Sequence, residues 1–324
     1  MPTLRQKLLS TLTRRYPFYS GCAALANHPW IDRLAGSSSE KTWARVCGGE
    51  VLASLDDFVG RAAFYVGDLD RKLSWIYRRL IRPGDTVLDI GANIGIVTVG
   101  MAKLVGSAGR VHAFEPNPRL TQRLHQVIDR NHLSQVTIHA LALGAEAAML
   151  DLHIPRDNAG AGSLIRKRGR PCEIVTVRVE RLSAILEPQP IRLIKIDVEG
   201  FEAEVFRGAE ALLRAQPAAI LFELNGDEDR SGEAPLLQLL AAYGYAFLAI
   251  PKSLLRMRLV PIDHLSADEL TGHDFLAVAR SHYDEVCARL RVRSARGSMK
   301  ELQQVSGPML RGEKQMTRSR APHR

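Results

Sequence analysis

The chain has 324 residues, 46% hydrophobic and 24% charged, which is enough apolar material for one sizeable core. A Rossmann-like domain of about 200 to 250 residues fits within it, with extensions left over. The formal charge of +9 is concentrated at one end. Arg289–Arg324 holds ten Lys and Arg against two Glu, a net +8, so the body is nearly neutral and no specific nucleic-acid partner is expected.

Cys22, Cys47, Cys172 and Cys287 show no C-x-x-C spacing and no Cys/His cluster. That predicts no metal site and fits free thiols in a reducing compartment. No apolar run reaches a membrane span's length and no signal core opens the chain, so a cytoplasmic protein is expected.

Residues 1–16 place Leu4, Leu8 and Leu12 at helical spacing beside Arg5, Lys7, Arg14 and Arg15. The segment is expected to be a short helix packing on the body, with a helix lying on a membrane surface as the alternative. Residues 20–45 read as irregular. From Trp43 to Leu80 apolar residues recur at helix-like intervals, which predicts a helical lead-in over residues 1–80. Pro83-Gly84 then breaks the chain.

Beyond that break, strands and helices alternate. Strands are expected at Thr86–Ile90, Arg110–Glu115 and Val136–Leu143, with helices at Ile94–Val105 and Pro118–Asn131 between them. Met149–Ile154 and Glu173–Glu180 alternate as strands around a Gly-rich basic loop, 157–170. The alternation resumes with strands Leu193–Asp197 and Ala219–Leu224, helices Glu202–Leu213 and Ala234–Tyr243, and a closing strand pair, Tyr245–Ile250 and Phe275–Ala279. This pattern predicts an α/β, doubly wound, mostly parallel sheet. A domain over 81–285 and a basic, disordered tail over 286–324 complete the expected organisation.

In Val87-Leu88-Asp89-Ile90-Gly91-Ala92-Asn93-Ile94-Gly95, a glycine turn follows a strand and opens a helix. The glycines permit close approach of a ligand, and the helix start offers free N–H groups. A dinucleotide favours G-x-G-x-x-G, but here Asn93 stands in the middle glycine's place. Asp89 is also an awkward neighbour for two phosphates and a better one for the ammonium of S-adenosyl-L-methionine. Glu115, ending the next strand 24 residues after Gly91, can accept the ribose hydroxyls of either cofactor.

A second strand, Leu193-Ile194-Lys195-Ile196-Asp197-Val198-Glu199-Gly200, ends in charge. With the strand order 3-2-1-4-5, Asp197 comes to lie beside Gly91. Asp197 and Glu199 are candidates for proton acceptor or substrate anchor, with Lys195 in support and Glu223 as a third carboxylate. Structural ion pairing at a helix start is the competing reading.

Three blocks, Asp89-Ile90-Gly91-Ala92-Asn93-Ile94-Gly95, Ala113-Phe114-Glu115-Pro116-Asn117-Pro118 and Ile194-Lys195-Ile196-Asp197-Val198-Glu199-Gly200, resemble the signature segments of the FkbM-type methyltransferases. Ala142-Leu143-Gly144, Gly162-Ser163-Leu164, Gly208-Ala209 and Phe222-Glu223 are similar too, so the likeness spans roughly residues 80–280. It implies a class I Rossmann-like fold with a seven-stranded sheet, and S-adenosyl-L-methionine held near Asp89, Gly91, Ala92, Asn93, Gly95, Glu115, Pro116, Asn117 and Leu143. It implies Asp197 and Glu199 as the acidic pair near the methyl group, and usually O-methylation of a sugar, glycan or secondary metabolite. Two positions depart from the family pattern: Asn131 fits only one of a usual pair of asparagines, and Ala145 replaces an acid. A nicotinamide-dependent oxidoreductase and a non-catalytic nucleoside-binding module are the alternatives.

Overall fold

The doubly wound sheet begins at the strand after Pro83-Gly84. In the computed structural model, residues 1–36, 38–155, 158–166, 171–224, 235–262 and 274–292 are described, and Met1–Val292 forms one unit. The strands of the main sheet are β3 (Thr86–Ile90), β4 (Arg110–Phe114), β5 (Val136–His139), β9 (Leu193–Ile196), β10 (Ala219–Glu223), β11 (Tyr245–Ile250), the two-residue β12 (Val260–Pro261) and β13 (Asp274–Ala279). Their order is β12-β11-β13-β10-β9-β3-β4-β5. From β5 to β10 they are parallel, and β13 and β11 add antiparallel pairings. The seven strands expected of the sheet are present among the described residues, with β12 as a short eighth.

The parallel strands read as near-continuous apolar runs because both faces are covered. On one face Val87, Leu193, Leu221 and Leu276 pack with the N-terminal helices. On the other, Leu88, Ile194, Ile220 and Phe222 pack with α8 (Leu182–Ile185), α9 (Glu202–Gly208), α10 (Glu210–Ala215) and α11 (Pro235–Ala242). The expected helix Glu202–Leu213 divides at Ala209, and the expected strand Val136–Leu143 divides too. β6 (Ala142–Leu143) leaves the main sheet to join β7 (Ala148–Pro155) and β8 (Cys172–Glu180) in a separate three-stranded sheet.

The N-terminal segment departs most from expectation. Among the described residues five helices are present, α1 (Leu4–Thr13), α2 (Cys22–Ala26), α3 (Pro29–Ala35), α4 (Phe58–Tyr65) and α5 (Arg71–Leu80). Between α3 and α4, however, the expected helical stretch from Trp43 is an antiparallel hairpin, β1 (Lys41–Val46) and β2 (Gly49–Ser54). Its turn is Cys47-Gly48, with Gly48 at φ +98, a conformation that suits glycine and reverses a chain tightly. Asn131, at the end of α7 (Pro118–Asn131), clasps this hairpin. Its Oδ1 accepts the Glu50 N–H at 2.8 Å and its Nδ2 donates to the Glu50 carbonyl at 2.7 Å.

Candidate active site

The crevice lies at the carboxyl ends of β3, β4, β9 and β10, where the strand order reverses. After β3 the backbone turns through Gly91 at φ +78, Asn93 at φ +54 and Gly95 at φ +89. A Cβ on Gly91 would sit 1.9 Å from the Asp197 carbonyl oxygen, so only glycine lets the turn and the end of β9 close together. Gly95 then caps α6 (Ile96–Val105) in a left-handed conformation, which is why that helix starts two residues later than its apolar pattern suggested.

Two clefts open here. The first encloses about 620 Å³, part of it open to solvent, and is lined by Gly91, Asn93, Phe114, Glu115, Pro116, Asn117, Leu143 and Asp197 among others. Glu115 is its polar anchor. One carboxylate oxygen accepts the Asn93 N–H at 2.8 Å, the other the Asn117 N–H at 2.9 Å. These bonds fix the carboxylate while leaving lone pairs for a second donor on each oxygen. Burial pushes Glu115 up to about 7 despite the two N–H groups. A fixed carboxylate beside apolar Phe114, Leu141 and Leu143 suits an adenosine ribose and base.

The second cleft is larger, about 1160 Å³ including open space, and shares Asn93, Gly160 and Asp197 with the first. Lys195, Asp197, Glu199, Glu223 and Asp274 from the sheet side meet Phe58, Val59, Asp70 and Lys72 from the N-terminal helices. Ile196 pairs with Phe222 in the ladder, so Asp197 and Glu223 leave neighbouring strand ends at the same level. Lys72 reaches Asp274 at 2.5 Å and Asp70 at 3.3 Å. Burial would lower the Lys72 pKa, but these two carboxylates raise it. Burial in turn raises Asp70 to about 6, against the pull of Lys72.

Behind the junction lies a buried charge cluster. Lys195 donates to the Gly91 carbonyl at 2.9 Å and faces Asp89 at 3.5 Å and Asp197 at 3.6 Å. Asp89 is fully buried and accepts from Thr98 Oγ1 at 2.6 Å. Burial raises its pKa, opposed by Lys195. Asp197 and Asp89 outweigh the desolvation of Lys195 and hold it protonated.

Of the residues expected at the cofactor, Gly91, Asn93, Glu115, Pro116, Asn117 and Leu143 line the first cleft. Asp89, Ala92 and Gly95 stand back from both clefts. Asp89 is screened by Lys195, Ala92 is buried, and Gly95 faces Leu124. Asp89, expected at the cofactor ammonium, is paired with Lys195 inside the protein. Asp197 lines both clefts, and Lys195 and Glu199 line the larger one. Glu199 carries φ +56, an uncommon backbone for a non-glycine residue, and its carbonyl accepts from Ser163 Oγ at 2.8 Å. In the basic loop, Arg166 is exposed, while Lys167, Arg168 and Arg170, like Arg156 just before the loop, lie outside the described residues.

Phe58, Val59, Asp70 and Lys72 were not expected at the site. The only signals in the sequence were the capping residue Asp70 ahead of an amphipathic helix and a lysine on that helix's buried side.

Residues 89–247 match the methyltransferase FkbM domain. Over that stretch, 159 of the 324 residues, the chain is similar to the FkbM-type methyltransferases. S-adenosyl-L-methionine is its cofactor, and the dinucleotide alternative drops out. The chain is 30% identical over 150 residues to Methyltransferase 1 of Beauveria bassiana, covering 40% of this chain and 60% of that protein. It is 28% identical over 200 residues to the 31-O-demethyl-FK506 methyltransferase FkbM of Streptomyces tacrolimicus, covering 52% and 75%. It is 30% identical over 154 residues to the hexuronic acid methyltransferase AglP of Haloferax volcanii, covering 47% and 61%. The chain thus spans under two thirds of the first and third of these relatives. Among the described residues no helix is long and apolar enough to cross a membrane, and no group of three or more His, Cys, Asp and Glu side chains is placed to hold a metal.

Proposed function

We propose that this chain transfers a methyl group from S-adenosyl-L-methionine to a hydroxyl of a sugar, glycan or secondary metabolite. The observation that carries this is the meeting of the two clefts at Asp197: one suits a nucleoside and the other is larger and lined by mixed charge. The bound cofactor supplies a methyl carbon on a cationic sulfur. Asp197 anchors the acceptor hydroxyl at the junction, and Lys195 faces that carboxylate from behind at 3.6 Å. Glu199 forms part of the same wall. The hydroxyl proton must leave as the C–O bond forms and the C–S bond breaks, so a carboxylate must receive it.

Glu223 is suited to that step. It sits in the concave wall, where desolvation, followed by Asp197 and Asp274, raises it to about 7. Relatives named for 31-O-demethyl-FK506 and for hexuronic acid support a hydroxylated acceptor. The four free thiols support a cytoplasmic setting.

Incubating the chain with methyl-labelled cofactor and an extract of the source cell, followed by mass spectrometry, tests the proposal. A labelled ether on a hydroxylated product is expected, and it should be lost with Asp197→Ala. Cofactor binding without any labelled product would instead indicate a non-catalytic module.

A further inference from the structure

Helix α1 is amphipathic in the inverse sense. Its body-facing side is polar: Gln6 and Ser10 are buried, Ser10 Oγ donates to the Phe64 carbonyl at 2.7 Å, and Arg14 donates to the same carbonyl at 2.8 Å. Thr13 donates to the Tyr65 carbonyl at 2.6 Å. The leucines point the other way, with Leu4 72%, Leu8 59% and Leu12 64% exposed. On the neighbouring helix α3, Trp30 and Leu34 are 67% and 59% exposed. An ordinary surface helix buries its apolar stripe, so a stripe held outward by polar anchors marks a surface that meets something apolar.

Charge identifies the partner. At 100° per residue, Leu4, Leu8 and Leu12 form one stripe, Arg5 and Lys7 flank it on opposite sides, and Arg15 continues it past the helix end. All three cations are exposed, and residues 1–31 contain no acid. Leucines flanked by long cationic side chains match the boundary between acyl chains and anionic headgroups, where Lys and Arg extend to the phosphates. A second copy of the chain across a two-fold axis would instead set these cations against each other. Trp30 suits the same interface, where aromatic rings concentrate.

We propose that α1 docks this protein on an anionic membrane surface without spanning it. α1 is tied to the last turn of α4, whose first turn contributes Phe58 and Val59 to the larger cleft. Docking thus acts on the helix layer that walls the cleft. The proposal holds whatever acceptor the cleft takes.

The test is co-sedimentation of the full chain with phosphatidylcholine vesicles, with and without 30% phosphatidylglycerol, alongside gel filtration. The wild-type chain should pellet with the anionic vesicles only, and less at high salt. The triple variant Leu4→Ser, Leu8→Ser and Leu12→Ser, whose changes are all exposed, should keep its melting temperature and lose about 100-fold in partitioning. Arg5→Glu with Lys7→Glu should lose binding without touching the leucines. Binding by both variants as strong as that of the wild-type chain would assign attachment to another part of the chain and overturn the proposal. So would an absence of binding, or a wild-type dimer that the serine variant abolishes.

Discussion

Replacing Lys195 with methionine should expose how the crevice holds its charge. Methionine keeps the length and apolar character of the lysine stem and removes the ammonium that faces Asp89 at 3.5 Å and Asp197 at 3.6 Å. Asp197 reaches water, but Asp89 does not. Its Oδ1 has no hydrogen-bond partner among the described residues, and Thr98 serves only Oδ2. Removing one partner of a buried pair typically costs about 3–5 kcal/mol, because the remaining charge is stranded. Asp89 can escape by taking a proton. Its folded pKa is already raised by burial, and loss of Lys195 removes the largest opposing influence. A raised carboxylate pKa means the folded state binds the proton more tightly, so the variant should gain stability as pH falls. The gain is about 1.4 kcal/mol per pH unit between the unfolded and folded pKa values.

Denaturant unfolding of Lys195→Met at pH 8 and pH 6 measures both effects. The Asp89→Asn, Lys195→Met double variant should return to within about 1 kcal/mol of wild type and lose the extra pH dependence. A loss below about 1 kcal/mol at pH 8, or equal losses at both pH values, would show that Asp89 is not the buried counter-ion described here.

Gly91→Ala should abolish cofactor binding in calorimetry and destabilise by at least about 2 kcal/mol, since its Cβ would meet the Asp197 carbonyl oxygen at 1.9 Å. Gly84→Ala, at φ +88 with open space around it, should cost only about 1 kcal/mol in thermal unfolding. Glu115→Gln should weaken cofactor binding about 30-fold through loss of charge-assisted bonds to the ribose. It should also remove a pH dependence of unbound stability. With a folded pKa of about 7 against an ordinary 4.5, wild-type stability should fall by about 3 kcal/mol as pH rises from 4.5 through 7. Glu223→Gln should remove the acidic limb near pH 7 from the rate profile and slow methylation about 100-fold or more, whereas Asp197→Asn should slow the reaction and shift that limb to lower pH without removing it.

The cofactor half of the crevice was legible in the sequence because local backbone requirements fix it. A left-handed turn with no room for a Cβ at Gly91 and an acid ending β4 are written into short contiguous segments. The acceptor half depends on long-range contacts. Lys72 meets Asp274 across 202 positions of chain, and no spacing rule connects them. The hairpin Lys41–Ser54 was missed for a related reason: its apolar residues also fit a helical period, and the decisive signal was Gly48-Gly49 at the turn. Asp89 is visible in the sequence as an acid before the turn, but its pairing with Lys195 across the ladder is not.

The chemistry proposed for the crevice consumes charge. A sulfonium and a carboxylate become a thioether and a carboxylic acid, so an opposite pair of charges disappears as the methyl group moves. Water stabilises such a pair better than a protein wall does, so a cleft that sheds part of its water when cofactor and acceptor fill it favours the loss, although Glu223 itself is exposed before they bind. The desolvation that raises Glu223 to about 7 acts in the same direction, because it increases the proton affinity of the base where the proton must arrive. Asp197 stands where the two clefts meet, with Lys195 facing it at 3.6 Å, so it is placed to orient the hydroxyl. In the proposed reaction two carboxylates at the same level on neighbouring strands thus divide positioning from proton transfer, and only one of them has a buried ammonium behind it.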